Sequence, residues 1–248
     1  MRHDVTLWKS FGASVRGPAH IASGAPNQDA WASFHHAWVD GIVVSDGVGS
    51  KPFSNFGSDA ACMAVGCAAM ACHIRADISH AGINRDLLFE RIKDHWLSII
   101  SPLEPRDCSA TCLFAFRIGD GLIHLGMLGD GLVAALKSDT SVLSLWEDKA
   151  NGFSNITTAL SPNVSPKEWR YLSLPEEECI AVLLCTDGVS DDLDNVDGFV
   201  SSFIEAHRSI AEISANRRTR EMLEKWPTPK HSDDKTIACL YREDISDA

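Results

Sequence analysis

The stretch AVLLCTDGVSDD, residues 181–192, places three aspartates directly after a short apolar run. Such a run, bounded by an Asp-Gly turn signal, predicts a buried β-strand that leaves the core at its end. The stretch GIVVSDGVGS, residues 41–50, has the same arrangement, with Asp46 and Gly47 directly after its apolar residues. Two apolar strands that both end in Ser/Thr-Asp-Gly-Val are harder to explain as two unrelated turns. We therefore expect other polar residues to gather near the ends of these strands.

Segments with strand patterns and segments with helix patterns follow one another in blocks. Apolar or alternating runs of strand length predict strands, and apolar residues at three- and four-residue spacing predict helices. The predicted strands lie within residues 5–46, 110–136, 142–146, 169–174, 180–186 and 231–243, and the predicted helices at 54–78, 84–100, 198–207 and 210–225. Because this order lacks the strict alternation of a parallel doubly wound fold, it predicts an α+β fold. In that fold, mainly antiparallel sheets carry helices on their outer faces.

Some local details are specific enough to test. Asn84 is a candidate N-cap for the second long helix. The predicted buried face of that helix consists of Leu87, Leu88, Ile92, Trp96, Ile99 and Ile100. The Gly-Asp-Gly around Asp120 separates two alternating runs and predicts an ordinary hairpin turn, so Asp-Gly alone does not mark a site. Residues 151–167 are predicted to form a long surface loop.

Length and charge limit the possible functions. The chain has 248 residues, of which 45% are hydrophobic, which favours one domain spanning residues 1–248 over two small ones. Its formal net charge of −12 argues against nucleic acid or an anionic membrane as the main partner. It also repels phosphate-bearing ligands unless bound cations reverse the sign locally.

The cysteines and the N-terminal residues indicate a cytoplasmic protein. The eight cysteines form no Cys-x-x-Cys pair and lie mostly in apolar segments, which predicts reduced core residues rather than a zinc site. No apolar leader segment is visible at the N-terminus. The longest small and apolar run, residues 60–71, is shorter than the roughly 20 residues of a membrane span, so we expect a buried helix there.

Several acids lie where a polar loop meets an apolar strand. Asp29 and Asp233 come just before a strand, and Asp46 and Asp187 come just after one. The further candidates are Asp130, Asp191 and Asp234. Each acid alone is more often a turn or cap residue, but carboxylates that converge raise each other's pKa unless a cation lies between them. Mg²⁺ and Mn²⁺ prefer such oxygen ligands, and Gly47 would allow a backbone carbonyl to approach the ion.

The motifs NQDA (27–30), VSDGVGS (44–50), LGDG (128–131), LLCTDGVSDDL (183–193) and SDDKT (232–236) resemble, in order and spacing, the metal-dependent protein serine/threonine phosphatases of type 2C. The resemblance covers about residues 12–241. The segment before Gln28 is similar to the compact bacterial branch of that family. The resemblance implies a four-layer α-β-β-α sandwich with a binuclear Mn²⁺ or Mg²⁺ centre at one end.

The resemblance also assigns roles to individual residues. Asp46 would bridge the two ions, and the Gly47 carbonyl, Asp187 and Asp233 would bind the first ion. The second ion and its waters would be held by Asp29 and by Gln28, which stands where many members have Glu. A weaker third ion, found in some members, would be bound by Asp130 and Asp191 together with Asp187. The catalytic residues would be Asp29 and Asp46, which hold the ions that activate a water.

Two positions depart from the family pattern. Many members have a phosphate-gripping Arg where this chain has Gly24, and others have a general-acid His where it has Val48. The nearest replacements are His20, Arg16 and Lys51. His20 is the candidate catalytic residue for either role if its loop folds back onto the metals, although a loop histidine is often only solvated.

The leading hypothesis is a phosphatase that acts on phosphoserine and phosphothreonine in proteins and opposes a serine/threonine kinase. The alternative is a catalytically weak adaptor or phospho-binding regulatory protein on the same fold, which the loss of the Arg and His favours. The retention of every acid argues against that alternative. A third possibility is the hydrolysis of a small phosphoester.

Overall fold

A computed structural model describes residues 7–79, 82–146, 158–227 and 232–243. Its strands are β1 (Trp8–Val15), β2 (Asp29–His36), β3 (Val39–Asp46), β4 (Cys112–Arg117), β5 (Leu122–Leu128), β6 (Leu132–Lys137), β7 (Val142–Trp146), β8 (Arg170–Pro175), β9 (Cys179–Cys185) and β10 (Lys235–Arg242). Its helices are α1 (Pro18–Ser23), α2 (Ser54–Ser79), α3 (Arg85–Ile100), α4 (Asp187–Ser190), α5 (Val196–Arg208) and α6 (Glu212–Glu224).

The strands form two five-stranded sheets. Sheet A has the order β1-β10-β9-β6-β7, and sheet B has the order β2-β3-β4-β5-β8. Every pairing within these sheets is antiparallel. The predicted α+β fold with antiparallel sheets is therefore confirmed.

Three apolar layers separate four layers of secondary structure. One layer lies between α2 and α3 and sheet B, one between the two sheets, and one between sheet A and α5 and α6. The alternation along β3 explains this arrangement, because Val43 faces the helices whereas Ile42 and Val44 face sheet A. A strand that is covered on both faces contains a continuous apolar run, as Ile42, Val43 and Val44 form in β3. The four-layer sandwich that the resemblance implied is the observed fold.

Helix α3 confirms its predicted cap and corrects its predicted face. Asn84 accepts a hydrogen bond from the Leu87 backbone amide at 3.1 Å. The prediction that Leu87 is buried is wrong, since its side chain is 38% exposed. The buried residues of α3 are Leu88, Phe89, Ile92, Trp96 and Ile100. The four-residue spacing from residue 88 defines one face, and Leu87 lies about 100° away from it.

Helix α2 is long and apolar, and Ser54–Ile74 meets the length and composition of a membrane span. Half of that segment is buried in the fold, where α2 packs against α3, β2 and β3. This is the packing of a core helix, as the sequence predicted. The indole nitrogen of Trp96 fixes the two helices together by donating to the Gly57 carbonyl at 3.0 Å.

The remaining local predictions have mixed outcomes. The hairpin around Asp120 is confirmed by the antiparallel pairing of β4 with β5. None of the eight cysteines, all of which the structure describes, is in a disulfide, but Cys67 is exposed and is not a core residue. The predicted surface loop 151–167 lies partly outside the described residues. Helix α1 was not predicted, and its segment was expected to be a loop.

The register of the strands places the predicted acids at one end of the sandwich. Asp29 at the start of β2 pairs with Asp46 at the end of β3. In sheet A, Cys185 at the end of β9 pairs with Leu132 at the start of β6 and with Ile237 near the start of β10. The chain segments just beyond these three positions carry Asp187, Asp130 and Asp233, so they leave sheet A at the same edge.

Candidate metal centre

Asp29 and Asp46 form a buried pair where β2 meets β3. Asp29 accepts a hydrogen bond from the Thr186 hydroxyl at 2.8 Å. Burial raises the pKa of Asp29 to about 7, and the charge of Asp234 adds to that effect, whereas hydrogen bonds from Thr236 and Thr186 oppose it. Asp29 and Asp46 lie close enough for each to shift the pKa of the other.

The surroundings of Asp46 show that acids distant in sequence converge. Burial raises the pKa of Asp46 well above its usual value, and the charges of Asp29, Asp187 and Asp233 raise it further. These are the four acids that the sequence placed at strand ends. Without a cation, these carboxylates repel one another, so some of them must bind protons and become neutral.

Gly47 is required by its close contact with the start of α2. A Cβ atom at this position would lie 2.7 Å from the carbonyl carbon and oxygen of Ser54, a distance that side chains do not tolerate. The Gly47 amide donates to the Gln28 carbonyl at 3.0 Å, and the Ser58 hydroxyl donates to the same oxygen at 2.6 Å. The backbone on both sides of the acid pair is therefore held by fixed contacts.

Gln28 offers a second oxygen to this end of the sandwich. Its side-chain Oε1 is buried and has no hydrogen-bond partner among the residues that the structure describes. A buried polar oxygen without a partner is costly and indicates an unaccounted ligand. Amide and carboxylate oxygens are the donors that Mg²⁺ and Mn²⁺ prefer. The residues present therefore fit a hard divalent cation.

Asp187 and Asp191 lie one turn apart on the short helix after β9. The Asp191 amide donates to the Asp187 carbonyl at 3.0 Å. A Cβ atom at Gly188 would lie 2.0 Å from the Asp234 carbonyl oxygen, so the glycine allows α4 to pack directly on the start of β10. This packing brings Asp187 next to the segment that carries Asp233.

Asp130 lies in the crossing from sheet B to sheet A. It is buried between Gly129 and Gly131, whose φ angles are +97° and +110°. A Cβ atom at Gly131 would lie 2.6 Å from the Cys185 carbonyl oxygen, just before Asp187 in the chain. Asp130 therefore reaches the end of β9, where the resemblance places a third ion with Asp187 and Asp191.

The neighbouring acids Asp233 and Asp234 have different environments. The Asp233 side chain is 49% exposed, and that of Asp234 is 1% exposed. The Asp234 carboxylate accepts hydrogen bonds from the Gly17 amide at 2.6 Å, the Gln28 amide at 2.6 Å and His20 Nδ1 at 2.8 Å. Asp233 is thus available to a ligand, whereas the carboxylate of Asp234 is occupied by donors of the protein.

His20 lies on α1 beside this pair of acids. Its Nδ1 is 3.9 Å from Asp233 Oδ1. Among the described residues, His20, Asp233 and Asp234 have ligand atoms that all lie within 4.8 Å of one another. The structure therefore brings His20 to the end of the sandwich where the acids converge.

The other candidate replacements are placed less favourably. Gly24 ends α1 in the left-handed conformation, with φ of +74°, which explains a glycine there. The Arg16 guanidinium donates to the Ala25 carbonyl at 3.2 Å and so holds the loop. Lys51 is half-buried in the turn after Gly47, where its amide donates to the Val48 carbonyl at 2.8 Å.

Sequence reasoning missed the polar residues that surround the acids. Asp234 was noted only as the neighbour of Asp233, and nothing in the sequence distinguishes the two. Thr186 binds Asp29 from the opposite sheet, and Thr236 binds it as well. The one signal in the sequence was the hydroxyl residue, Ser45 or Thr186, that precedes the Asp-Gly at the end of each of the two apolar strands. At the other Asp-Gly, Ser45 donates to the Thr111 carbonyl at 2.6 Å.

With this geometry established, comparison with known proteins gives a class. The family model for protein phosphatase 2C matches residues 16–226. The chain belongs to the protein phosphatase 2C family, whose members are metal-dependent phosphatases. A comparison with curated proteins gave no match.

Solved structures show the same fold. The photosystem II phosphatase PBCP is 14% identical with a TM-score of 0.64, over 95% of this chain and 98% of that one. RsbX in complex with magnesium is 12% identical with a TM-score of 0.62, over 97% and 98%. The serine-threonine phosphatase 2C from Toxoplasma gondii is 10% identical with a TM-score of 0.64, over 96% and 95%. At these identities the likeness establishes the fold.

Proposed function

We propose that this protein hydrolyses phosphoserine and phosphothreonine in proteins with the help of two Mn²⁺ or Mg²⁺ ions. The observation that carries the proposal is the convergence of Asp29, Asp46, Asp187 and Asp233 on one end of the sandwich. Their mutual repulsion is relieved when divalent cations replace the protons that the group otherwise needs. The physiological substrates would be the products of a serine/threonine kinase.

The ligands are divided between the two ions as follows. Asp46 would contact both ions, and the Gly47 carbonyl, Asp187 and Asp233 would complete the first. Asp29 and Gln28 would hold the second ion and its waters. Asp130 and Asp191 would hold a third, weaker ion with Asp187. The buried, unpaired Oε1 of Gln28 supports its part in this set.

The chemistry follows from charge and proton transfer. When bound, paired ions supply a water of lowered pKa and neutralise the phosphoryl oxygens. Asp29 and Asp46 hold that arrangement in place through the pairing of β2 with β3. The leaving alkoxide needs a proton, and we assign its donation to His20, because the family's usual His is replaced by Val48. No covalent bond between enzyme and phosphate is required.

The test is an assay of the purified protein on a phosphothreonine peptide and on p-nitrophenyl phosphate, with Mn²⁺ and then with a chelator. We expect turnover of both substrates with Mn²⁺ and none with the chelator. A matched small phosphoester, such as a sugar phosphate, tests whether proteins are the preferred substrate. Tight Mn²⁺ binding without any turnover would contradict the enzyme and support the adaptor instead.

A further inference from the structure

The buried carboxylate of Asp234 lies outside the proposed set of metal ligands and accepts three hydrogen bonds from the protein. Its Oδ1 accepts from the Gly17 amide, and its Oδ2 accepts from the Gln28 amide and from His20 Nδ1, at 2.6, 2.6 and 2.8 Å. All three donors lie in the twelve-residue segment 17–28 that leads into Asp29. One carboxylate therefore joins this segment to the start of β10.

Helix α1, which carries His20, has no apolar anchor. None of its six residues, all of which the structure describes, is buried. Its N-terminus is held by the Gly17 amide on Asp234 and by the Ala19 amide, which donates to the Ser232 carbonyl at 3.0 Å. Because packing does not fix α1, these polar bonds decide where the His20 ring lies.

The bond to Asp234 also decides which ring nitrogen of His20 is available. A carboxylate that already accepts two amide bonds accepts a third from His20, so the shared proton lies on Nδ1. The other nitrogen, Nε2, can then take up a proton to form the imidazolium and donate that proton to the leaving alkoxide, which returns the ring to its neutral Nδ1–H form. The His20 side chain is only 18% exposed, which limits the orientations that the ring can take.

We propose that Asp234 is a positioning residue for His20: it holds the ring at the metal end of the sandwich with Nε2 as the reactive nitrogen. This inference rests on the proposed phosphatase function. It also explains why Asp234 is not a metal ligand although Asp233 beside it is a candidate. A cation bound through His20 Nδ1 and Asp234 would have to break the bond between them.

The first test uses the metal-free protein and does not depend on activity. Long-range ¹H–¹⁵N spectra of the neutral ring distinguish the Nδ1–H tautomer from the Nε2–H tautomer. We expect Nδ1–H for His20 in the wild type. Asp234→Ala removes the acceptor of the Nδ1–H bond, so the ring should lose its preference for the Nδ1–H tautomer. An Nε2–H ring in the wild type, or an unchanged ring in the variant, would overturn the proposal.

The second test separates proton donation from general damage. A phosphothreonine peptide releases a strongly basic alkoxide that needs a proton, whereas p-nitrophenyl phosphate releases an anion that does not. His20→Ala and Asp234→Asn should each lower kcat on the peptide by about 100-fold, the lower end of general acid catalysis, with much smaller losses on p-nitrophenyl phosphate. The double variant should lose little more than His20→Ala alone. Equal losses on both substrates, or additive losses, would overturn the positioning role.

A matched control lies at the opposite end of the sandwich from the acids. Asp120 Oδ2 contacts His124 Nε2 at 2.9 Å in a similarly buried pair beside the β4–β5 hairpin. Asp120→Asn should leave both turnover rates unchanged even if it lowers stability. If it lowered peptide turnover as Asp234→Asn does, loss of folded protein would explain both results and the proposal would fail. A wild type without turnover would refute the proposed function, while the spectra would still test the bond between Asp234 and His20.

Discussion

Asp29 and Asp46 lie opposite each other where β2 pairs with β3, and the protons that they bind link stability to pH. Burial is the main cause that raises both pKa values, to about 7 for Asp29. An unfolded aspartate loses its proton near pH 4. Between these values the folded state binds more protons than the unfolded state, so stability falls as pH rises through the window.

We therefore predict that the chelated protein loses stability between about pH 4 and pH 7, and that Asp29→Asn reduces this slope. Urea denaturation at several pH values measures it. Asp94→Asn, at an exposed position of α3, is the control and should keep the wild-type slope. A slope that is the same in Asp29→Asn and in the wild type would contradict the raised pKa of Asp29.

Replacing Asp46 should have opposite effects on stability and on metal binding. Asp46→Asn removes an acid that, in the chelated protein, must either bind a proton or carry a charge that Asp29, Asp187 and Asp233 repel, so the melting temperature at neutral pH should rise, by about 2–4 °C for each kcal/mol gained. Its Mn²⁺ affinity should fall by at least about 100-fold, the upper end of what losing an outer-shell partner costs. Calorimetry measures both quantities. A destabilised variant that still binds Mn²⁺ would refute the role of Asp46.

The strands were predictable because their buried segments consist of apolar residues. Residues 42–44 of β3 and 179–185 of β9 are covered on both faces, so these runs are apolar and the Asp-Gly after each marks the exit from the core. Helix α1 was not predictable for the opposite reason. It buries nothing, begins with Pro18 after Gly17 and ends at Gly24, so its sequence has the composition of a loop.

The set of acids was predictable, but their separate roles were not. Asp29, Asp46, Asp187 and Asp233 were found from their positions at strand ends and from the resemblance. The different environments of Asp233 and Asp234 depend on which of the two side chains faces the segment 17–28. The residues in that contact are more than 200 positions apart in the sequence. No local pattern encodes such a contact.

The loop between β3 and α2 gives a prediction about backbone shape. Gly47→Ala places a methyl group 2.7 Å from the Ser54 backbone, so the loop must move and its carbonyl with it. We expect Mn²⁺ affinity to fall by about 10–100-fold, as for other changes that misplace a metal ligand. Gly82→Ala is the control, because a Cβ atom there meets nothing within 4 Å. Titration calorimetry would refute the close fit if both variants bound Mn²⁺ like the wild type.

The net charge of −12 and the acidic end of the sandwich both favour the binding of cations to the folded protein. Mn²⁺ at about 100 times its Kd should stabilise the folded state by about 2.7 kcal/mol, because the unfolded chain has no assembled site. That corresponds to a rise of about 5–10 °C in Tm for a chain of this size. Differential scanning fluorimetry measures it.

Sodium chloride also screens the net charge, so it is the necessary comparison. The rise with Mn²⁺ should occur at far lower concentration than any rise with sodium chloride, and it should be absent in Asp46→Asn. Equal shifts in the wild type and in that variant would show that Mn²⁺ acts only on the surface charge.

The decisive measurement is a crystal structure of the protein grown with Mn²⁺, with anomalous scattering used to locate the ions. Two strong peaks should lie beside Asp46, with Asp187 and Asp233 around one and Asp29 and Gln28 near the other. The Asp234 carboxylate should keep its bond to His20. Peaks confined to other parts of the surface, or no peak beside Asp46, would contradict the metal centre and the phosphatase function that depends on it.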